Sequence, residues 1–152
     1  MLRVRLLTIF LLPVLFSCAS YQTALIKDKT GTIDEYRVCG NGRPTIIFEN
    51  GMGANIDCWD SIYPAFTNSN TLFFHNRRGY ANSSAPTAPR NGSTIVEELR
   101  ALLREASVQP PYVLVGHSAG ALYLQYFARR YPSEVIALVL IDSTHQKTMQ
   151  GP

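Results

Sequence analysis

The chain has 152 residues, of which 46% are hydrophobic and 16% charged, with three cysteines and a formal net charge of +3. This is enough for one domain with a sizeable core, and it excludes a disordered or collagen-like chain. The excess charge sits at the start: without Arg3 and Arg5, 12 basic residues face 11 acidic ones and no Lys/Arg stripe with interleaved aromatics remains, which argues against a nucleic-acid partner.

Residues 1–17 have the form of a signal peptide, with a basic start at Arg3 and Arg5 and an apolar stretch from Leu6 to Phe16 that is short for a bilayer span. The stretch closes on Leu15-Phe16-Ser17-Cys18, which resembles a bacterial lipobox, although Phe16 is bulkier than the residue usual there. On that reading Cys18 is lipidated and tethers the protein to a membrane of the bacterial envelope. The alternative is a plain signal peptide cut near Ser17 or Ala19, with a periplasmic or secreted product. Residues 18–30 read as a tether or first edge strand, and 31–152 as the folded domain.

Within the domain, Ile33–Cys39 alternates as a half-buried strand should, and Gly40-Asn41-Gly42 is a turn. Pro44–Glu49 is a continuous apolar run of the central parallel-strand type, followed by the Gly-rich loop Asn50-Gly51-Met52-Gly53. Asp57–Phe66 is expected to be a weak helix limited by Pro64, with Trp59, Ile62 and Phe66 on one face. Thr71–His75 is the next buried strand, and Asn76–Asn91 a loop. An amphipathic helix is predicted over Ile95–Ser107, capped by Ser93 or Thr94, with Glu97 and Glu98 in its first turn and Val96, Leu99, Leu103 and Ala106 facing inward. Glu134–Asp142 is a last buried strand, and Ser143–Pro152 has no periodicity. Alternating strands and helices predict an α/β fold: a mostly parallel sheet with flanking helices. Cys39 and Cys58 fall about 15 Å apart in level across this sheet, too far for a disulfide, so two free, half-buried thiols are expected.

The stretch with most chemical content is Gly116-His117-Ser118-Ala119-Gly120. An apolar strand, Pro111–Val115, precedes it and an apolar helix, Ala121–Tyr131, follows it, ending at Pro132. Strand, sharp turn and helix around G-x-S-x-G define a nucleophile elbow. Gly116 and Gly120 leave room for the turn, Ser118 stands at its tip, and the Ala119 N–H faces a developing oxyanion. The helix is apolar nearly all round, so it needs cover on more than one side.

With these residues in view, Gly31–His145 resembles the N-terminal part of the α/β-hydrolase fold family, in the branch of proline iminopeptidases and simple carboxylesterases. The resemblance is carried by the elbow, by Glu49–Gly53 as an oxyanion loop, by His75–Tyr80 as the turn after the fourth strand, and by Leu138–His145 as the sixth strand and its exit. It implies a serine hydrolase of esters or amides, without cofactor or metal, in which Ser118 is the nucleophile and the backbone of Met52 and Ala119 forms the oxyanion hole. The chain departs from the family at Asn50, where His is usual, and at Asn76 and Ala81, where Asp and Gly are usual.

The family order is Ser, then Asp or Glu, then His, with the last two usually after the seventh and eighth strands. The sequence, read as a fold truncated after the sixth strand, leaves those partners out. Asp142 and His145 are the candidates for acid and base within it; His117 is expected to pack under the sheet, and His75 to be a satisfied structural histidine. The competing expectation is a catalytically inactive remnant or a membrane-tethered binding protein of the same fold, with the sixth strand exposed as an apolar edge. No P-loop, dinucleotide fingerprint or metal-ligand spacing suggests other chemistry.

Overall fold

A computed structural model describes residues 23–67 and 69–143. The proposed signal peptide, Cys18, His145 and the last residues of the tail lie outside these residues. The chain forms β1 (Ala24–Lys27), β2 (Ile33–Cys39), β3 (Thr45–Glu49), β4 (Thr71–Asn76), α1 (Gly92–Glu105), β5 (Tyr112–His117), α2 (Ala119–Arg130) and β6 (Val135–Ile141). The six strands make one sheet in the order β1-β2-β4-β3-β5-β6. β1 and β2 pair antiparallel at one side, and β4, β3, β5 and β6 are parallel. The expected α/β architecture is therefore present, with β1 at one end of the sheet.

The central strands β3, β4 and β5 are buried on nearly every residue and apolar through their middles, because both faces of the sheet are covered. Ile47, Phe73 and Leu114 pack on one face against Val96, Leu99 and Leu103 of α1 and Leu124 and Phe127 of α2. Ile46, Phe48, Leu72, Phe74 and Val115 point the other way, onto Ile56 and Trp59. β6 is the outer strand among the described residues, and its run VIALVLI is only partly covered: Ile136 is 61% exposed, and Val139, Leu140 and Ile141 are exposed as well. Among the described residues no helix is long and apolar enough to cross a membrane.

Several local expectations change. The weak helix over 57–66 is instead two 3-10 helices, Ile56–Trp59 and Tyr63–Ala65, because Pro64 opens the second and allows no longer run. Asn91, not Ser93 or Thr94, caps α1: its side chain accepts from the Thr94 N–H at 2.9 Å, so the helix starts at Gly92. Glu97 and Glu98 then lie beyond the first turn and pair with Arg130 and with Arg90. Cys39 and Cys58 form no disulfide among the described residues, as expected, but Cys39 is buried and Cys58 exposed, rather than both half-buried.

Candidate active site

The elbow is built as its sequence demands. β5 ends at His117 and α2 starts at Ala119, so Ser118 alone carries the chain from strand to helix, at φ 50° and ψ −119°. An L-residue enters that region only when its surroundings impose it. Here β5 and α2 impose it, and the Ser118 N–H is fixed by donating to the Ile141 carbonyl at 2.9 Å. Room is made by the flanking glycines. A Cβ on Gly116 would lie 2.6 Å from the Ala121 Cα. On Gly120 it would lie 2.4 Å from the Glu49 carbonyl oxygen and 2.5 Å from that of Asn50. Gly120 thus lets the elbow and the loop after β3 touch backbone to backbone, which the turn alone does not require.

That loop begins where β3 ends. Gly51 faces the elbow: a Cβ there would stand 2.8 Å from His117 Nδ1 and 3.5 Å from the Ser118 Cβ. His117 therefore does not pack under the sheet. It lies on the same face as Val115 but one pleat further along, beyond the core, where it meets the loop. Met52 is 72% exposed, and among the described residues its N–H has no protein acceptor. The Ala119 N–H, as the first of α2, precedes the intrahelical bonds. The N–H groups of Met52 and Ala119 are thus both without an acceptor in their own elements.

The loop is held from behind by a buried ionic cluster. Phe48 pairs with Phe74 in the parallel register, so Glu49 and His75 emerge side by side. Glu49 is fully buried; His75 Nε2 donates to one of its oxygens at 2.7 Å and the Arg77 guanidinium to the other. Burial alone would push the Glu49 carboxyl up, but His75 and Arg77 outweigh it and hold the carboxyl below its ordinary value. Burial likewise opposes the charge on Arg77, and Glu49 restores it, keeping the guanidinium above its ordinary value. The same guanidinium donates to the carbonyls of Asn50 at 2.6 Å and Gly51 at 2.7 Å. His75 is the satisfied structural histidine expected.

Asn50 occupies the position where the resemblance leads one to expect His. Its amide donates to the His75 carbonyl at 2.9 Å, and its oxygen accepts from Trp59 Nε1 at 2.6 Å and from the Cys58 thiol at 3.8 Å. Asn76 accepts from the Ile56 N–H at 2.9 Å and donates to Glu35 at 2.7 Å, so it ties β4 to both β2 and the 3-10 segment. The Tyr80 hydroxyl accepts from the Gly53 N–H at 3.3 Å. Sequence reasoning named these stretches but gave Glu49, Arg77 and Trp59 no role at the site. The available signal was the register: Glu at the end of one parallel strand and Arg just past the end of its neighbour.

The remaining candidates are distributed unevenly. Asp142 follows the Ile141 carbonyl that holds Ser118, so β6 brings its backbone beside the elbow; its side chain is exposed and its φ is 44°. His145 and Cys18 lie outside the described residues. Among the described residues no group of three His, Cys, Asp or Glu side chains could hold a metal ion.

A mostly parallel sheet with a serine on a strained strand-to-helix turn, facing a Gly-rich loop from the adjacent strand, defines the α/β-hydrolase class of architecture. The family model described as alpha/beta hydrolase fold matches residues 44–151, and the chain belongs to that family. Among curated relatives, it is 33% identical over 121 residues to the uncharacterized protein YqjL of Bacillus subtilis, covering 76% of this chain and 47% of that one. It is 28% identical over 103 residues to a (lyso)-N-acylphosphatidylethanolamine lipase of Mus musculus, covering 66% and 30%. Among solved structures, a hydrolase from Pseudomonas aeruginosa superposes with a TM-score of 0.73 at 24% identity, over 84% of this chain and 49% of that one. The chain thus spans less than half the length of these relatives.

Proposed function

We propose that this chain carries the nucleophile and oxyanion hole of a serine hydrolase that cleaves carboxylic esters or amides. The observation that carries the reading is Ser118 itself, held at φ 50° at the tip of the elbow and faced by Gly51, where an added Cβ would stand 3.5 Å from the Ser118 Cβ. Backbone strain of this kind costs about 1–3 kcal/mol and persists where a side chain must be presented in one direction.

In the proposed reaction Ser118 Oγ attacks the substrate carbonyl carbon as a general base removes its proton. The negative charge moves to the carbonyl oxygen, which accepts hydrogen bonds from the N–H groups of Met52 and Ala119. As the tetrahedral species collapses, the base gives its proton to the leaving oxygen or nitrogen, which departs as the neutral alcohol or amine and leaves an acyl group on Ser118. Water, activated by the same base, then releases the acid. Asp142 is the acid candidate beside the elbow, with His145 as its base candidate; the family order places the alternatives after later strands. The lipase among the relatives favours a fatty acyl ester as substrate, and a lipid anchor on Cys18 in the bacterial envelope would place the enzyme at a surface where such esters are found.

Purified protein is tested on p-nitrophenyl esters of increasing chain length, with Ser118→Ala as control. Turnover that Ser118→Ala abolishes supports the reading. A folded chain with no turnover on any ester or amide sinks it and leaves a tethered binding protein. Cys18→Ser, followed by fractionation and mass analysis of the N-terminus, tests the anchor separately.

A further inference from the structure

We propose that Arg77 is the positioning residue of the oxyanion loop, fixing the direction of the Met52 N–H by binding the carbonyl of the same peptide unit. This rests on the reading of Ser118 as nucleophile and adds a residue that the nucleophilic reaction itself does not use.

The carbonyl of Gly51 and the N–H of Met52 belong to a single planar unit and, in the trans form, point in opposite directions. Arg77 Nη2 donates to the Gly51 carbonyl at 2.7 Å. Holding that oxygen toward Arg77 therefore turns the Met52 N–H away from Arg77. Gly51 faces the elbow, where an added Cβ would stand 3.5 Å from the Ser118 Cβ, so the peptide that Arg77 orients is the one on the serine's side of the loop. Arg77 Nη1 holds the preceding carbonyl, that of Asn50, at 2.6 Å, so two successive peptide planes are set by one rigid guanidinium.

A clamp works only if it is itself immobile. Arg77 is buried and ion-paired to Glu49, which is anchored in turn by His75. Its guanidinium carbon lies 5.0 Å from the centre of the Tyr80 ring and 5.5 Å from that of Tyr123. Tyr80 also accepts from the Gly53 N–H, so the loop is gripped on both sides of Met52. The neighbouring Arg78 makes a useful contrast. It pairs with Asp34, Asp28 and Glu98 and binds no loop carbonyl among the described residues. One arginine of the turn supports the loop and the next supports the fold. A lysine cannot replace the first, because a single ammonium lacks the planar fork that spans two carbonyls and a carboxylate.

The test compares Arg77→Lys and Arg77→Met with Arg78→Gln in the full chain, by NMR order parameters of the Met52 and Ala119 amides and by p-nitrophenyl butyrate kinetics. In both Arg77 variants the Met52 order parameter is expected to fall from about 0.85 to below about 0.6 while Ala119 stays rigid. kcat is expected to drop by about tenfold or more with KM within about twofold, the pattern of a donor lost in the transition state. Arg78→Gln should lower stability and leave the Met52 amide rigid. Unchanged Met52 order in a folded Arg77 variant, or equal loosening by Arg78→Gln, overturns the proposal. Failure of both Arg77 variants to fold where Arg78→Gln folds overturns it too, since Arg77 would then be a core residue. A wild-type chain without turnover sinks the hydrolase reading, while the order parameters still decide what Arg77 does to the loop.

Discussion

The indole N–H of Trp59 donates to the side-chain oxygen of Asn50 at 2.6 Å, linking the 3-10 segment to the loop that faces Ser118. Trp59 is the single tryptophan, buried with its ring centre 5.0 Å from that of Phe48 and tilted 56° to it, so its emission reports on the state of that loop. Asn50→Leu removes both the acceptor for Trp59 and the donor to the His75 carbonyl. Leaving two buried polar groups without partners is expected to cost about 2–4 kcal/mol. The check is urea denaturation followed by Trp59 fluorescence, with the native emission also shifted as the indole loses its bond.

Gly120→Ala isolates the contact between elbow and loop. The new Cβ meets two backbone carbonyl oxygens at 2.4 and 2.5 Å, and neither can swing aside as a flexible side chain could. The loop must retreat, and overpacking of this kind costs about 1–3 kcal/mol. Gly92→Ala is the matched control at the start of α1, where the nearest heavy atom to a new Cβ is 3.9 Å away. It is expected to change stability by no more than about 0.5 kcal/mol. Equal losses in the two variants would mean that the contact between loop and elbow has no special weight.

How far the sequence could be read follows from the range of each signal. The elbow was legible because its determinants are consecutive: strand, glycine, serine, glycine, helix. The sheet was legible because β3, β4 and β5 carry continuous apolar runs through their middles, as strands covered on both faces do, and β6 is apolar throughout. Asn91 escaped because Ser93 and Thr94 are equally good caps, and only the geometry of the entering chain selects among them. The direction of His117 escaped because it depends on where the loop after β3 lies. Glu49, His75 and Arg77 come from two segments that only the parallel register brings together, so no local pattern marks them as one cluster.

Ser118 separates strain from chemistry. Glycine tolerates φ 50° and ψ −119° where serine and alanine do not. Ser118→Gly is therefore expected to raise stability by about 1 kcal/mol, part of the strain held at this position, whereas Ser118→Ala should leave it near wild type. Both substitutions remove any turnover that depends on Oγ. Thermal unfolding of the three proteins side by side provides the check, and a Ser118→Gly protein no more stable than Ser118→Ala would show that the elbow stores no strain.

Glu49 should dominate the acid limit of the fold. Its carboxyl is held below the ordinary value of 4.5 by His75 and Arg77, which outweigh the effect of burial. Between the folded and unfolded pKa values the unfolded chain binds the extra proton, so stability rises with pH there. The contribution of Glu49 is thus fully present above about 4.5 and is lost as pH falls through its lower folded value. Glu49→Gln leaves Arg77 buried beside a neutral amide and is expected to cost about 3–5 kcal/mol at neutral pH. Other carboxylates held low, among them Glu35 and Glu97, act in both proteins and cancel in the comparison. Urea denaturation midpoints of wild type and Glu49→Gln, measured from pH 7 down to pH 3, should therefore converge on the acid side. Parallel curves would show that Glu49 is held by packing alone, and that the charge on Arg77 is balanced elsewhere.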